Sequence, residues 1–252
     1  ATSDSGGGAG VQADLLTFAS RGVFGTSVLC ALTAQNPAGV SAIETLPLDF
    51  IEAQWRQIRD WFHLGAIKTG MLFSAPIIER VAGLIAECED LPIVVDPVMV
   101  AASGAVLLRE DAIETLKGSL LPRATLVTPN LDETGVLLGE RPGSPEEMRK
   151  AGRTFCERFG TAVLVKGGHL EQKRIEDVLV LPDGSMHAFA AQFRAGVNTH
   201  GSGCTLASAI AAELAKGADL PEATERAHAY LQRAMADPLR VSGASFISHG
   251  VD

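Results

Sequence analysis

Apolar positions along this 252-residue chain follow two rhythms. Short continuous runs at residues 27–32, 66–71, 92–96, 124–128 and 161–166 are rich in Val, Ile, Leu and Ala, the pattern of strands buried on both faces. Between them, apolar residues return every three or four positions. Residues 10–20 place Val11, Leu15, Phe18 and Ala19 on one helical face, closed by Gly22. Asp49 is placed to cap a helix that buries Phe50, Ile51, Trp55, Ile58 and Phe62. Ser74 with Pro76 opens a helix carrying Ile77, Val81, Leu84, Ile85 and Cys88. Further helices are predicted at 110–120, 131–138, 145–159, 203–216 and 221–235. Residues 178–181 and 186–193 flank Pro182-Asp183-Gly184 and read as a hairpin. Strands alternating with helices predict an α/β fold, with a mostly parallel central sheet covered on both faces and right-handed crossovers. No repeat or linker divides the chain, so residues 1–252 read as one domain. The chain opens on a Gly-rich turn with no strand ahead of it, and we expect an N-terminal strand to have been cropped.

Composition narrows the function. The chain is 46% hydrophobic and 20% charged with a formal net charge of −9, and it has no run of like charges. Nucleic acid or an anionic membrane surface would need a basic face. No stretch approaches the roughly 20 apolar residues of a membrane span, and no signal segment opens the chain. The four cysteines, Cys30, Cys88, Cys156 and Cys204, are widely separated and form no C-x-x-C pair, which argues against a zinc site and fits reduced thiols in a cytoplasm.

Neither the P-loop nor the dinucleotide fingerprint is present. The informative segment is Asn198-Thr199-His200-Gly201-Ser202-Gly203-Cys204-Thr205, immediately before an Ala-rich helix. Small residues there leave backbone N–H groups bare at a helix N-terminus, a place to hold an anion such as a transferring phosphoryl group. A capped Gly-rich turn is the plain alternative.

Context sharpens the choice. Ser3-Asp4-Ser5-Gly6-Gly7-Gly8-Ala9-Gly10 with Gln12-Ala13-Asp14, Thr33-Ala34-Gln35-Asn36, Lys68-Thr69-Gly70-Met71-Leu72, Asp96-Pro97-Val98-Met99, Thr128-Pro129-Asn130-Leu131-Asp132-Glu133 and Val165-Lys166-Gly167-Gly168-His169 stand in order ahead of the Cys204 segment. Together they resemble the hydroxymethylpyrimidine and phosphomethylpyrimidine kinases, from residue 3 to about 235. The resemblance implies a ribokinase-like three-layer sandwich, ATP and Mg²⁺ as cofactors, a homodimer, and phosphorylation of the pyrimidine precursor of thiamine. The chain departs from that pattern in lacking the apolar strand before the first Gly-rich segment and in carrying Ser202 where Thr is common.

By that resemblance Cys204 is the catalytic base, where many sugar kinases of this fold place an Asp. A helix N-terminus can lower a thiol's pKa. Gly201, Ser202 and Gly203 supply the N–H groups of the hole. Lys166 ends an apolar strand and needs a partner, for which the phosphates of ATP are suited. Asn130 and Thr205 join it at the nucleotide. Glu133, in an N-x-x-E motif, and Asp96 are the metal-side carboxylates, although Asn130 and Glu133 also fit a helix cap. For the acceptor, the Gln35 amide offers a donor and an acceptor side by side, matching an aminopyrimidine edge. Asp14, Met71 and Val98 match the family's pocket. His200 and His169 flank the Gly-rich elements and stay outside the catalytic set. A pyridoxal kinase of the same fold, or a non-catalytic pyrimidine sensor, is the alternative function.

Overall fold

The computed structural model describes residues 1–88, 90–99, 108–168, 174–192 and 199–250. Its main sheet has six strands in chain order: β4 (Ile67–Thr69), β5 (Ile93–Val95), β6 (Leu126–Val127), β7 (Ala162–Val165), β8 (Arg174–Val180) and β9 (Met186–Gln192). The first four run parallel, with Ile67 opposite Ile93, Val94 opposite Leu126 and Val127 opposite Val163. The last two join antiparallel, Val163 facing Val180. A separate three-stranded sheet orders β1 (Thr2–Asp4), β2 (Ala31–Asn36) and β3 (Gly39–Thr45).

Side chains alternate across the main sheet, and each parity has its own helical layer. Ile93, Val95, Val127, Val163, Val165, Val178 and Val180 share one core with Ile51 of α2 (Leu48–Arg59), Ile77 and Ile78 of α3 (Ala75–Ile85), Ala112 of α4 (Glu110–Thr115), Leu137 of α5 (Leu131–Leu138) and Phe155 of α6 (Pro145–Phe159). Val94, Leu126, Ala162, Leu164 and Leu179 face a second core with Leu206 and Ile210 of α7 (Ser202–Ala215) and Ala223 and Tyr230 of α8 (Leu220–Ala236). On this second side α1 (Gly10–Ser20) packs against α7. The predicted α/β fold, covered on both faces, is therefore what forms.

Helices α5 and α6 begin and end where the sequence predicts because their caps are local. Asn130 and Ser144 accept the N–H groups of Glu133 and Glu147 at 2.8 and 3.2 Å, and Gly139 and Gly160 close the helices at φ 97° and 68°.

Elsewhere the structure corrects the reading. The strand expected at 27–32 starts at Ala31 and turns back as an unpredicted hairpin with β3. Thr2–Asp4 is a strand although its pattern is not strand-like, because parallel pairing with Ala31 to Thr33 supplies the ladder. Pro47, not Asp49, occupies the N-cap position of α2, with no side-chain cap bond; Phe50 remains 54% exposed and Phe62 38%, so neither is core. The helix expected over 110–120 widens into a π turn at Leu116–Leu120, and a final hairpin, β10 (Leu239–Val241) with β11 (Ala244–Phe246), follows α8. Among the described residues no helix is long and apolar enough to cross a membrane.

Candidate active site

Strand ends and the start of α7 converge, as an open parallel sheet allows. Asp96 follows β5, its N–H bonded to Thr69 O at 3.0 Å. Its buried carboxylate accepts the Thr128 hydroxyl at 3.2 Å and pairs with Lys166 Nζ at 3.1 Å. Lys166 follows β7 and is itself anchored by its N–H to Pro129 O at 2.9 Å. Burial works against the Lys166 charge, yet Asp96 and then Glu133 outweigh it and raise its pKa. Gly203 lies directly above this pair: a Cβ there would stand 3.3 Å from both Asp96 Oδ2 and Lys166 Nζ.

The same loop reaches the other half of the site. Gly201 takes φ 82°, and a side chain there would collide with Gly8 O, so the two Gly-rich turns pack backbone to backbone. His200 Nε2 lies 3.1 Å from Asp4 Oδ2 and 3.4 Å from the Gln35 Nε2, while Gln35 Oε1 accepts the Thr33 hydroxyl at 3.0 Å. Burial opposes ionisation of Asp4, but His200 and the N–H groups of Gly6 and Ala9 hold its carboxyl below the usual range. Residues 199–203 thus run from the Gln35 cluster to the neighbourhood of the Asp96–Lys166 pair.

Several expected roles change on inspection. Ser202 N–H is bonded to Thr199 O at 3.0 Å, so it is not part of an open anion hole. The N–H groups of Gly203 and Cys204 have no backbone acceptor among the described residues. The Thr205 side chain is fully buried and its hydroxyl has no partner among the described residues, so it offers no surface to a nucleotide. Asn130 and Glu133 form a reciprocal capping box, with Asn130 N–H on Glu133 Oε2 and Glu133 N–H on Asn130 Oδ1, both 2.8 Å. Burial, opposed by Lys166 and reinforced by Asp96, pushes the Glu133 carboxyl up to about 7. The Cys204 thiol is not lowered by its helix start. Burial pushes it up to about 11, against the pull of Lys68.

Asp14 is held away from a free acceptor role. Its Oδ1 pairs with Lys68 Nζ at 2.8 Å and takes the Ser208 hydroxyl at 2.7 Å, with the two charged side chains 5% and 2% exposed. Met71 is buried, its carbonyl holding Thr2 Oγ1 at 3.1 Å, and half-buried Val98 directs its N–H to Asp96 O at 2.9 Å. Lys68 and Asp4 were not singled out from the sequence, although a charge inside a short strand and an Asp opening a Gly-rich turn both ask for partners. Phe246 was missed as well. Its ring carbon would lie 3.1 Å from a Cβ on Gly8, beside the His200 ring. His169 and Asn198 fall outside the described residues. A cavity of about 460 Å³ between β4, α2, α3 and residues 22–28 shares Asp14 and Lys68 with the site but does not include Asp96, Lys166 or Gly203.

A lysine–carboxylate pair close to a helix start whose first N–H groups have no backbone acceptor among the described residues, one loop away from an amide cluster, is machinery for moving a phosphoryl group onto a small molecule, and fold and site together define a small-molecule kinase. The chain belongs to the phosphomethylpyrimidine kinase family, whose profile it matches over residues 4–248. It is 43% identical to the hydroxymethylpyrimidine/phosphomethylpyrimidine kinase of Streptomyces coelicolor, over 99% of this chain and 92% of the relative. The enzyme of the same name from Haemophilus influenzae is 40% identical over 96% of this chain and 91% of its own. Among solved structures, phosphomethylpyrimidine kinase from Clostridium difficile superposes with a TM-score of 0.81 at 35% identity, covering 92% of this chain and 96% of that one. An ADP complex of Bacillus subtilis pyridoxal kinase superposes with a TM-score of 0.89 at 32% identity, covering 98% and 94%. The ribokinase-like architecture expected from the resemblance is thereby borne out.

Proposed function

We propose that this chain transfers the γ-phosphoryl group of ATP to the hydroxymethyl oxygen of 4-amino-5-hydroxymethyl-2-methylpyrimidine, and then phosphorylates the resulting monophosphate, in thiamine biosynthesis. The observation that carries the reading is the loop at 199–203, which joins the Gln35 amide through His200 to the Asp96–Lys166 pair through Gly203. Gln35 offers the aminopyrimidine an amide edge, with Met71 and Val98 as its apolar neighbours. Lys166 and the N–H groups of Gly203 and Cys204 receive the charge of the transferring phosphoryl group, which a loose transition state spreads over its oxygens. Cys204, at the same helix start, takes the acceptor proton as a thiolate, formed by loss of its own proton to solvent before the transfer.

The fit to Mg²⁺ rests on the donor set: Asp96 and Glu133 are hard-oxygen ligands flanking Lys166, and Gly203 leaves an open cradle over Asp96. Bound there with ATP, the ion would neutralise charge on the phosphates. Asn130 accepts the Glu133 N–H through its Oδ1, and its Nδ2 amide is the group offered to the nucleotide. A homodimer and a cytoplasmic location belong to the same proposal, on the resemblance alone.

Pyridoxal phosphorylation is the second reading, favoured by the likeness to the Bacillus subtilis structure. The two substrates differ in the ring edge that meets Gln35. Hydroxymethylpyrimidine, its monophosphate and pyridoxal, each assayed with Mg-ATP for ADP and phosphorylated product, separate them. A kcat/KM far higher for pyridoxal would overturn the pyrimidine assignment, and no ATP turnover with any of the three would favour a sensor.

A further inference from the structure

We propose that Asp177 is a positioning residue for the phosphoryl-transfer site, setting the place of Lys166 by holding the backbone of Gly167. The inference rests on the assignment of Lys166 to the donor phosphates. Asp177 lies within β8, the antiparallel neighbour of β7, and is buried. Its Oδ1 accepts the Gly167 N–H at 2.8 Å, a buried bond across the point where the chain leaves β7. Gly167 is clamped from the same strand, since a Cβ there would collide with the Glu176 carbonyl oxygen. On the other side, Lys166 N–H is held by Pro129 O at 2.9 Å. Lys166 therefore sits between two fixed peptide groups, and its side chain leaves from a defined point towards Asp96.

A carboxylate inside a strand is expensive unless it is bonded, and among the described residues this one meets its nearest charge partner only loosely. His228 Nε2 of α8 stands 3.8 Å from Asp177 Oδ2, with the Phe189 ring 6.0 Å from the His228 ring. Burial, aided by Glu176, raises the Asp177 pKa, against the opposing pull of His228, the Gly167 N–H and the Lys166 ammonium. Among the described residues, the direct hydrogen bond of Asp177 thus goes to the peptide that follows Lys166. Displacing a phosphate-binding lysine by even an ångström is enough to lower the rate by about 10²-fold.

The test measures steady-state kinetics with ATP and with the pyrimidine acceptor varied in turn, for Asp177→Ala, Asp177→Asn, Asp177→Thr and Lys166→Met. Asp177→Asn keeps an oxygen for the Gly167 N–H and loses the charge; Asp177→Thr suits a strand but is too short to reach. The expected pattern is kcat/KM for ATP lowered by about 10²-fold in the Ala and Thr variants, acceptor KM within about twofold, and most of the loss recovered in Asn. Should Ala fail to fold, Thr and Asn carry the comparison. Wild-type kinetics in Ala or Thr beside a defective Lys166→Met would overturn the positioning role alone. Equal losses for both substrates, tracking the thermal midpoint and unrescued by Asn, would make Asp177 merely structural and overturn it too. An unaltered KM for ATP and kcat in Lys166→Met would overturn the assignment of Lys166 and this inference with it.

Discussion

Lys166 Nζ lies 3.1 Å from Asp96 Oδ1, tying together the ends of β7 and β5 across the intervening β6. Each charge is shielded from water, so each depends on the other. Asp96→Ala should destabilise the fold by about 3 kcal/mol in denaturant titration, because it strands a buried ammonium. Combining it with Lys166→Met should recover part of that loss. A cost below about 1 kcal/mol for Asp96→Ala would mean that Glu133 compensates Lys166 without help.

Glu133 gives a pH signature. With its carboxyl pushed up to about 7, protons and a metal ion compete for it near neutrality. The Mg²⁺ concentration for half-maximal rate should rise as pH falls from 8 to 6, and Glu133→Gln should raise that requirement at pH 8 and remove its pH dependence. Stability moves in a linked way. A carboxyl whose folded pKa lies above its unfolded value favours folding least when ionised, so stability falls as pH rises from about 4.5 through about 7. Glu133→Gln keeps an oxygen for the Asn130 N–H and should abolish this fall. An unchanged Mg²⁺ requirement would leave Glu133 as a capping residue only.

Cys204 is a thiol, not a resident thiolate. With its pKa pushed up to about 11, about one molecule in 10⁴ is ionised at pH 7. Alkylation by iodoacetamide should therefore accelerate about tenfold per pH unit between 7 and 9, without a plateau. A plateau near pH 7 would show that the helix start prevails over burial. Cys204→Ala should lower kcat by about 10²-fold with little change in KM for ATP. Near-normal kcat with a reduced thermal midpoint would make it a packing residue.

The Asp14–Lys68 pair should behave as a buried unit. Burial opposes the Lys68 charge, but Asp14, with Asp96 beyond it, keeps it protonated. Asp14→Ala should cost about 3–5 kcal/mol by leaving that ammonium uncompensated, more than the double replacement Asp14→Ala with Lys68→Met. Additive single and double losses in a double-mutant cycle would show that the pair is not coupled.

What the sequence alone determined was whatever local chemistry decides. Helices α5 and α6 were legible to the residue because capping side chains and closing glycines lie within one turn of the ends they satisfy. The strand alternation, the Gly-rich helix start and the order of motifs were likewise in the string, and with them the kinase family. Tertiary structure decided what depends on distant partners. Asp14 is a pocket residue by motif and half of an ion pair by geometry, because Lys68 arrives from 54 residues away. Thr2–Asp4 is a strand only because Ala31 to Thr33 lie alongside. At Cys204 a local rule met a global one: a helix N-terminus favours the thiolate, but desolvation by the surrounding fold outweighs it, and no reading of neighbouring residues reports how much water a folded chain excludes.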